Sequence, residues 1–393
     1  MRGEALCGYN QPEVELAAAI QNGGSGCSAA PSTGESQRGL CWLLAALPDN
    51  LAEFQSRCSK VEDWKEIFAA AEDGDVLGLL YSYLGRAGVE ISAELQRQVE
   101  RRLAFQRMAQ SRAPAALDDV LEALGAAGIQ AAVLKGPALA ERLYPDPLSR
   151  VCSDLDILVS PRNLNSATAA LQRIGFHIPF GPGEQYYRMH HHHIHLERPP
   201  GPMVELHFQA YRGFGTGIDA EELLARASRY RTAGGASTWV LSPEDEILYL
   251  CAHIAGHRFK GVGGLYELKL YIYRYPDLEW SVVARRARSV GLLSVLRFTC
   301  ELFRKRFGVP LAKESTLGSL PFYRAFPAGR FLSLHTTQPE SSSAATLAKW
   351  AYFVVLCDRP GAAARYLGHT VSWVARRRAA RRFPRLVPES WLT

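Results

Sequence analysis

The chain has 393 residues, 47% of them apolar and 21% charged, with a formal net charge of +6. A chain of this length and apolar content can bury a sizeable core and is expected to form two or three structural units. The charge balance only mildly favours polyanionic partners, and its location is more telling. Nine Arg or Lys stand against three acids between Glu340 and the C-terminus, so nine minus three equals the whole +6 and the basic character belongs to the tail.

Eight cysteines (Cys7, Cys27, Cys41, Cys58, Cys152, Cys251, Cys300 and Cys357) lie far apart with no CxxC pair, a usage that predicts reduced thiols and a cytoplasmic protein. The opening MRGEALCGYNQPEVELAAAIQ lacks a continuous apolar run, and WAYFVVLC near the end is too short to span a bilayer. Secretion and membrane spanning are therefore disfavoured.

In chain order, residues 1–39 are expected to form a flexible N-terminal segment, because 22–38 carry almost no large apolar groups to offset ordering entropy. Residues 40–128 read as helical, with Leu117, Val120, Leu121 and Leu124 on one face and Gly125 and Gly128 closing the last helix. IQAAVLKG is a short buried strand, followed by a helix, PALAERLY, with Pro137 in its first turn. After the turn Tyr144-Pro145-Asp146-Pro147 comes a second apolar strand, SDLDILV, and then a helix opening at Pro161 and closing at Gly175. YYRMHHHHIHLE and MVELHFQAY read as two further strands joined by RPPGP, completing a catalytic core over 129–212. Residues 213–320 are expected to be helical again, and 321–393 to be an extension carrying the basic tail. The pattern is α/β (α+β), with a small mixed sheet flanked by helical regions.

The chemistry concentrates in Ser153-Asp154-Leu155-Asp156. Strand alternation points Asp154 and Asp156 to one face, with Cβ atoms about 6.5–7 Å apart at roughly 3.3 Å rise per residue. Two carboxylates so placed repel one another unless a cation lies between them, and hard oxygen donors suit Mg²⁺, with Mn²⁺ as the alternative. A solvated strand end is the plain reading of an isolated D-x-D.

A third carboxylate, Glu205, follows about fifty residues on in V-E-L-H, where Val204 and Leu206 take the opposite face. It can meet the first pair only if the two strands are neighbours. There it can bind a second ion or accept a nucleophile's proton in a two-metal phosphoryl transfer. Lys135 and Gly136 end a strand where a helix begins, a place that favours phosphate, and Arg150 can present a guanidinium fork to phosphate oxygens.

The run L-K-G-P-A-L-A-E-R-L-Y-P-D-P-L-S-R-V-C-S-D-L-D-I-L-V, with Glu205-Leu206-His207, resembles the uncharacterised nucleotidyltransferase family of the DNA polymerase beta-like superfamily. The resemblance extends from helices near Asp63 to helices near Trp280. It implies a nucleotidyltransferase-like core inserted among helices, metal ligation by Asp154 and Asp156, Glu205 as third acid, and a nucleoside triphosphate substrate. Lys135-Gly136-Pro137 stands where the wider superfamily has a Gly-Ser turn. Lys269 in LYELKLYIY stands where relatives are expected to carry an acid.

Other features receive lesser readings. His190 to His193 with His195 read as a polar hairpin face or an active-site rim, with local metal affinity as the lesser alternative, since alternate strand residues face opposite ways and cannot all bind one ion. His253 and His257 have the spacing of zinc-protease ligands, but H-I-A-G-H lacks the glutamate base, so packing or lining of a cleft is expected. GFGTG and GVGG read as loops. The tail, with Trp373, Arg376, Arg377, Arg378, Arg381 and Arg382, offers contacts to RNA phosphates or an anionic membrane surface, or packs as a solvated helix. The expected activity is metal-dependent transfer of a nucleoside monophosphate to an unidentified acceptor: RNA, protein, peptide or small molecule. The alternative is a non-catalytic binding or scaffold protein that uses the tail.

Overall fold

The computed structural model describes residues 34–179, 191–312, 314–337, 342–368 and 371–372. The histidine run before His191 and the arginines from Arg376 onward fall outside these residues, as do the first 33.

Six strands form one mixed sheet in the order β3-β4-β2-β1-β8-β7: β1 Ala131–Val133, β2 Asp154–Val159, β3 His193–Leu196, β4 Met203–His207, β7 Ser228–Arg231 and β8 Ser237–Val240. The decisive pairing is β2 with β4, parallel, setting Asp156 against Glu205 and Leu158 against His207. β1 lies antiparallel on the other side of β2, and β3 antiparallel outside β4.

Alternation then sorts the sheet into two faces. Leu155, Ile157, Val159, Ile194, Val204 and Leu206 join the buried faces of helices Ala113–Ala126 and Leu164–Arg173 in one apolar cluster. The helix over Ala113–Ala126 forms because its leucines recur at helical spacing among alanines, with Pro114 in its first turn, and Gly128 follows at φ +69°. The opposite face carries Asp154, Asp156, Glu205 and His207 toward the helix Pro243–Gly256. Leu158 and Ala132 on that face join the larger cluster, which runs through the surrounding helices.

Three expectations need correction. The segment expected to be flexible gives up Gly34 to Arg38 to the helix Gly34–Ala45, which Leu40, Leu43 and Leu44 anchor in the core while the Ser36 hydroxyl donates to Glu66. The sheet does not stop at 212. β7 and β8 lie within residues expected to be helical, because β7 is a polar edge strand with Ser228, Arg229 and Arg231 exposed and shows no apolar alternation. GFGTG is the tip of a hairpin, β5 Tyr211–Gly213 and β6 Thr216–Ile218, whose two central residues, Phe214 and Gly215, both have positive φ.

The early part of the C-terminal extension packs onto the core. Tyr352, on the helix Ser343–Leu356, is fully buried and donates to the Ala255 carbonyl, and Asp358 accepts from the amides of Leu293 and Ser294 at the start of the helix Leu293–Phe307. No helix among the described residues is long and apolar enough to cross a membrane, and the six described cysteines are all free.

The helix Pro137–Leu143 is locked to Pro243–Gly256 by a buried pair. Arg142 donates to Glu246 at 2.5 and 2.8 Å, and Tyr271 donates to the same carboxylate at 2.8 Å. Glu246 is 0% exposed, so removing it strands a buried guanidinium. Glu246→Ala is expected to lower stability by about 3–5 kcal/mol in urea unfolding; a loss within experimental error would show that the clamp contributes nothing.

Candidate metal and phosphate site

Each acid comes from a different point of one sheet face. Asp154 opens β2 at the sheet's end, its side chain 15% exposed, whereas Asp156 is 1% exposed. Glu205 stands beside Asp156 through the β2–β4 register, so the strands are the neighbours that the third-acid reading requires. One oxygen or nitrogen from each of Asp156, Glu205 and His207 lies within 4.8 Å of the others.

Lys135, at the end of β1, reaches across β2. Its Nζ stands 3.3 Å from Asp156 Oδ1 and 3.5 Å from Asp154 Oδ2, so this ammonium is the cation between the paired carboxylates. Burial alone would lower the Lys135 pKa, but Asp156 and Asp154 outweigh it and hold the group well above its ordinary value. Burial, then the charge of Asp156, pushes Asp154 up. Gly136 follows at φ +74°, a conformation in which a side chain would be strained.

His207 holds the other side of the acids. Its Nε2 stands 3.3 Å from Asp156 Oδ1 and 3.3 Å from Glu205 Oε2. Burial opposes charging of this ring, but the two carboxylates raise its pKa to about 9, so it is an imidazolium at neutral pH. Burial would raise Glu205 too, yet hydrogen bonds from His195 and His207 hold it well below the usual carboxylate range.

Three carboxylates thus face two cations, Lys135 and His207. The remaining negative charge, together with the buried Asp156 Oδ2, which has no hydrogen-bond partner, fits a divalent ion ligated by oxygen.

The helix Pro243–Gly256 roofs this face. Tyr249 has a buried hydroxyl without a partner, and its ring centroid lies 5.8 Å from that of His253. Burial and then Lys135 depress His253 well below its usual value, and His257 to about 4, so both rings stand neutral near the lysine. They line the site, as the reading without a protease base anticipates.

Arg150 is turned elsewhere. Its guanidinium makes a two-point pair with Glu267, at 2.5 and 3.2 Å, and Tyr144 donates to the same acid. Glu267 is the acid that the helix Gly263–Arg274 supplies. Lys269, two residues on, points away and pairs with Asp49 at 2.9 Å.

His192, His193 and His195 also gather here. His193 and His195 share the face of β3 that meets Glu205 and His207, through the pairs His193 with His207 and His195 with Glu205. The i, i+2 spacing of these two histidines was the available signal; which strand they would meet was not.

The profile of a family described as uncharacterised nucleotidyltransferase matches residues 60–308, well over half of the chain. The chain belongs to that family, and the mixed sheet with flanking helices is consistent with a nucleotidyltransferase-like core. The match spans Lys135, Asp154, Asp156, Glu205 and Glu267 alike. No curated protein matches the chain.

Lys135→Met leaves Asp154 and Asp156 facing each other without their ammonium. The variant is expected to lose about 3 kcal/mol of stability in chelator and to recover part of it in millimolar Mg²⁺. Thermal melts under the two conditions check this; equal loss in both would speak against oxygen-ligated metal at the pair.

Proposed function

We propose that the chain transfers a nucleoside monophosphate from a nucleoside triphosphate to an acceptor hydroxyl or phosphate, releasing pyrophosphate. What carries this reading is the meeting of Asp154, Asp156 and Glu205 on one sheet face beside Lys135, in a chain of a nucleotidyltransferase family.

Asp154, Asp156 and Glu205 would hold Mg²⁺ or Mn²⁺, which when bound neutralises charge on the triphosphate and on the attacking and leaving oxygens. The acceptor oxygen attacks the α-phosphorus, the bond from that phosphorus to the bridging oxygen breaks, and pyrophosphate leaves. In this reading Lys135 exchanges part of its contact with the aspartates for a phosphate oxygen, and Gly136 lets the backbone come close to it. In this reading the acceptor's proton passes to a carboxylate of the site, and His207 holds the orientation of Glu205.

Arg150 is proposed to contribute through its pair with Glu267, which fixes the approach to β2 from the side of the helix Gly263–Arg274. Whether the guanidinium also reaches phosphate is read from its variants: Arg150→Lys retains charge but not the fork.

The test is calorimetric titration of the whole chain with non-hydrolysable nucleoside triphosphates, with and without Mg²⁺, beside Asp154→Ala/Asp156→Ala. Metal-dependent binding of at least one nucleotide, weakened by more than about 100-fold in the variant, is the expected result. No binding of any triphosphate by the folded parent chain would sink the reading.

A further inference from the structure

We propose that His193, His195 and Glu205 form a second cation site, for a borderline transition-metal ion of the Zn²⁺ class, beside the aspartate pair. It shares only Glu205 with the proposed nucleotide site.

The donors stand close to the spacing one small ion imposes. Two ligands about 2.0–2.1 Å from a zinc ion lie about 3.3 Å apart at the tetrahedral angle. His195 Nε2 is 3.3 Å from Glu205 Oε1 and 2.9 Å from His193 Nε2, while the second nitrogen of His193, Nδ1, is 3.7 Å from the second oxygen, Oε2. One donor from each of the three residues falls within 4.8 Å of the others.

The hydrogen bonding within the cluster is incomplete. His193 Nδ1 is buried with no hydrogen-bond partner, although a carboxylate oxygen lies just beyond hydrogen-bond range. Whichever nitrogen of His193 carries the proton, the other offers a lone pair that a cation among these three residues can take up. The rings of His193 and His195 stack at 4.7 Å with an 18° interplanar angle, which holds both side chains in place.

Donor type separates this group from the aspartates. Two imidazoles and a carboxylate suit Zn²⁺ or Co²⁺, whereas an all-oxygen pair suits Mg²⁺ or Mn²⁺. His207 Nε2 stands 3.3 Å from Glu205 Oε2 and 3.3 Å from Asp156 Oδ1, and so lies between the two donor sets.

The experiment uses the whole chain, stripped with chelator and titrated with ZnCl₂ against a chromophoric competitor, and separately loaded with Co²⁺. Expected are a single tight Zn²⁺ equivalent and visible Co²⁺ absorption of a low-coordinate site with nitrogen donors. His193→Gln and His195→Gln should each weaken Zn²⁺ by more than about 100-fold, while Asp154→Asn and His191→Gln leave it unchanged. Zn²⁺ affinity that survives both histidine variants, or that falls equally in His191→Gln, would mean chelation by the histidine run and overturn the site. Should the histidine variants fail to fold, the parent chain decides: a weak octahedral Co²⁺ spectrum overturns the proposal. Loss of Mg²⁺-nucleotide binding in Asp154→Asn with Zn²⁺ binding intact separates this site from the nucleotide reading.

Discussion

The parallel register of β2 on β4 is the constraint from which the rest of the structure follows. Placing Asp156 opposite Glu205 sets Leu155 with Val204 and Ile157 with Leu206 on the other face. Side-chain period in a strand is two, so a slip of β4 by one residue would drive Glu205 into the apolar cluster and carry Val204 and Leu206 out of it. Burial of that cluster therefore enforces the meeting of two carboxylates that would otherwise separate. The hydrophobic face provides the free energy, and the polar face bears its electrostatic cost.

Compensation for that cost comes from every neighbouring element. Lys135 reaches in from β1 on one side, and His207 projects from β4 itself. The Arg142 and Glu246 pair then fixes the helix that starts just after Lys135 against the helix that roofs the site. Buried ion pairs of this kind add little net stability relative to apolar packing but are costly to break singly, so they act to hold one arrangement. The aspartates thus sit in a surround whose charge is nearly, but not wholly, balanced, a state suited to taking up and releasing a further cation with its anionic ligand.

Much of this was legible in the sequence because it depends on local pattern. The D-x-D alternation, the V-E-L-H alternation and the Lys135-Gly136-Pro137 junction are each written within a few residues, and the structure brings Lys135, Asp154, Asp156 and Glu205 together. What local pattern does not carry is the identity of the partner strand. Alternation separates His193 and His195 from His192, but what the pair meets depends on β4 lying beside them. Arg150 looked available for phosphate because Glu267, its partner, is separated from it by 117 residues. β7 escaped detection because an edge strand exposes polar residues and has no apolar period to read. The helix from Gly34 escaped because its anchoring leucines come only after its polar first turn.

The same register explains why two kinds of donor meet at one glutamate. β4 is the interior strand of the β3-β4-β2 group, so a residue on its polar face has the acids of β2 on one flank and the imidazoles of β3 on the other. Glu205 has two oxygens: Oε1 faces His195, and Oε2 faces His207, with its contact to Asp156, and His193 Nδ1 at 3.7 Å. Any ligand that draws one oxygen moves the other, because a carboxylate is rigid. If the proposed second cation site is filled, its occupancy is linked to the charge on the aspartate flank through that one planar group.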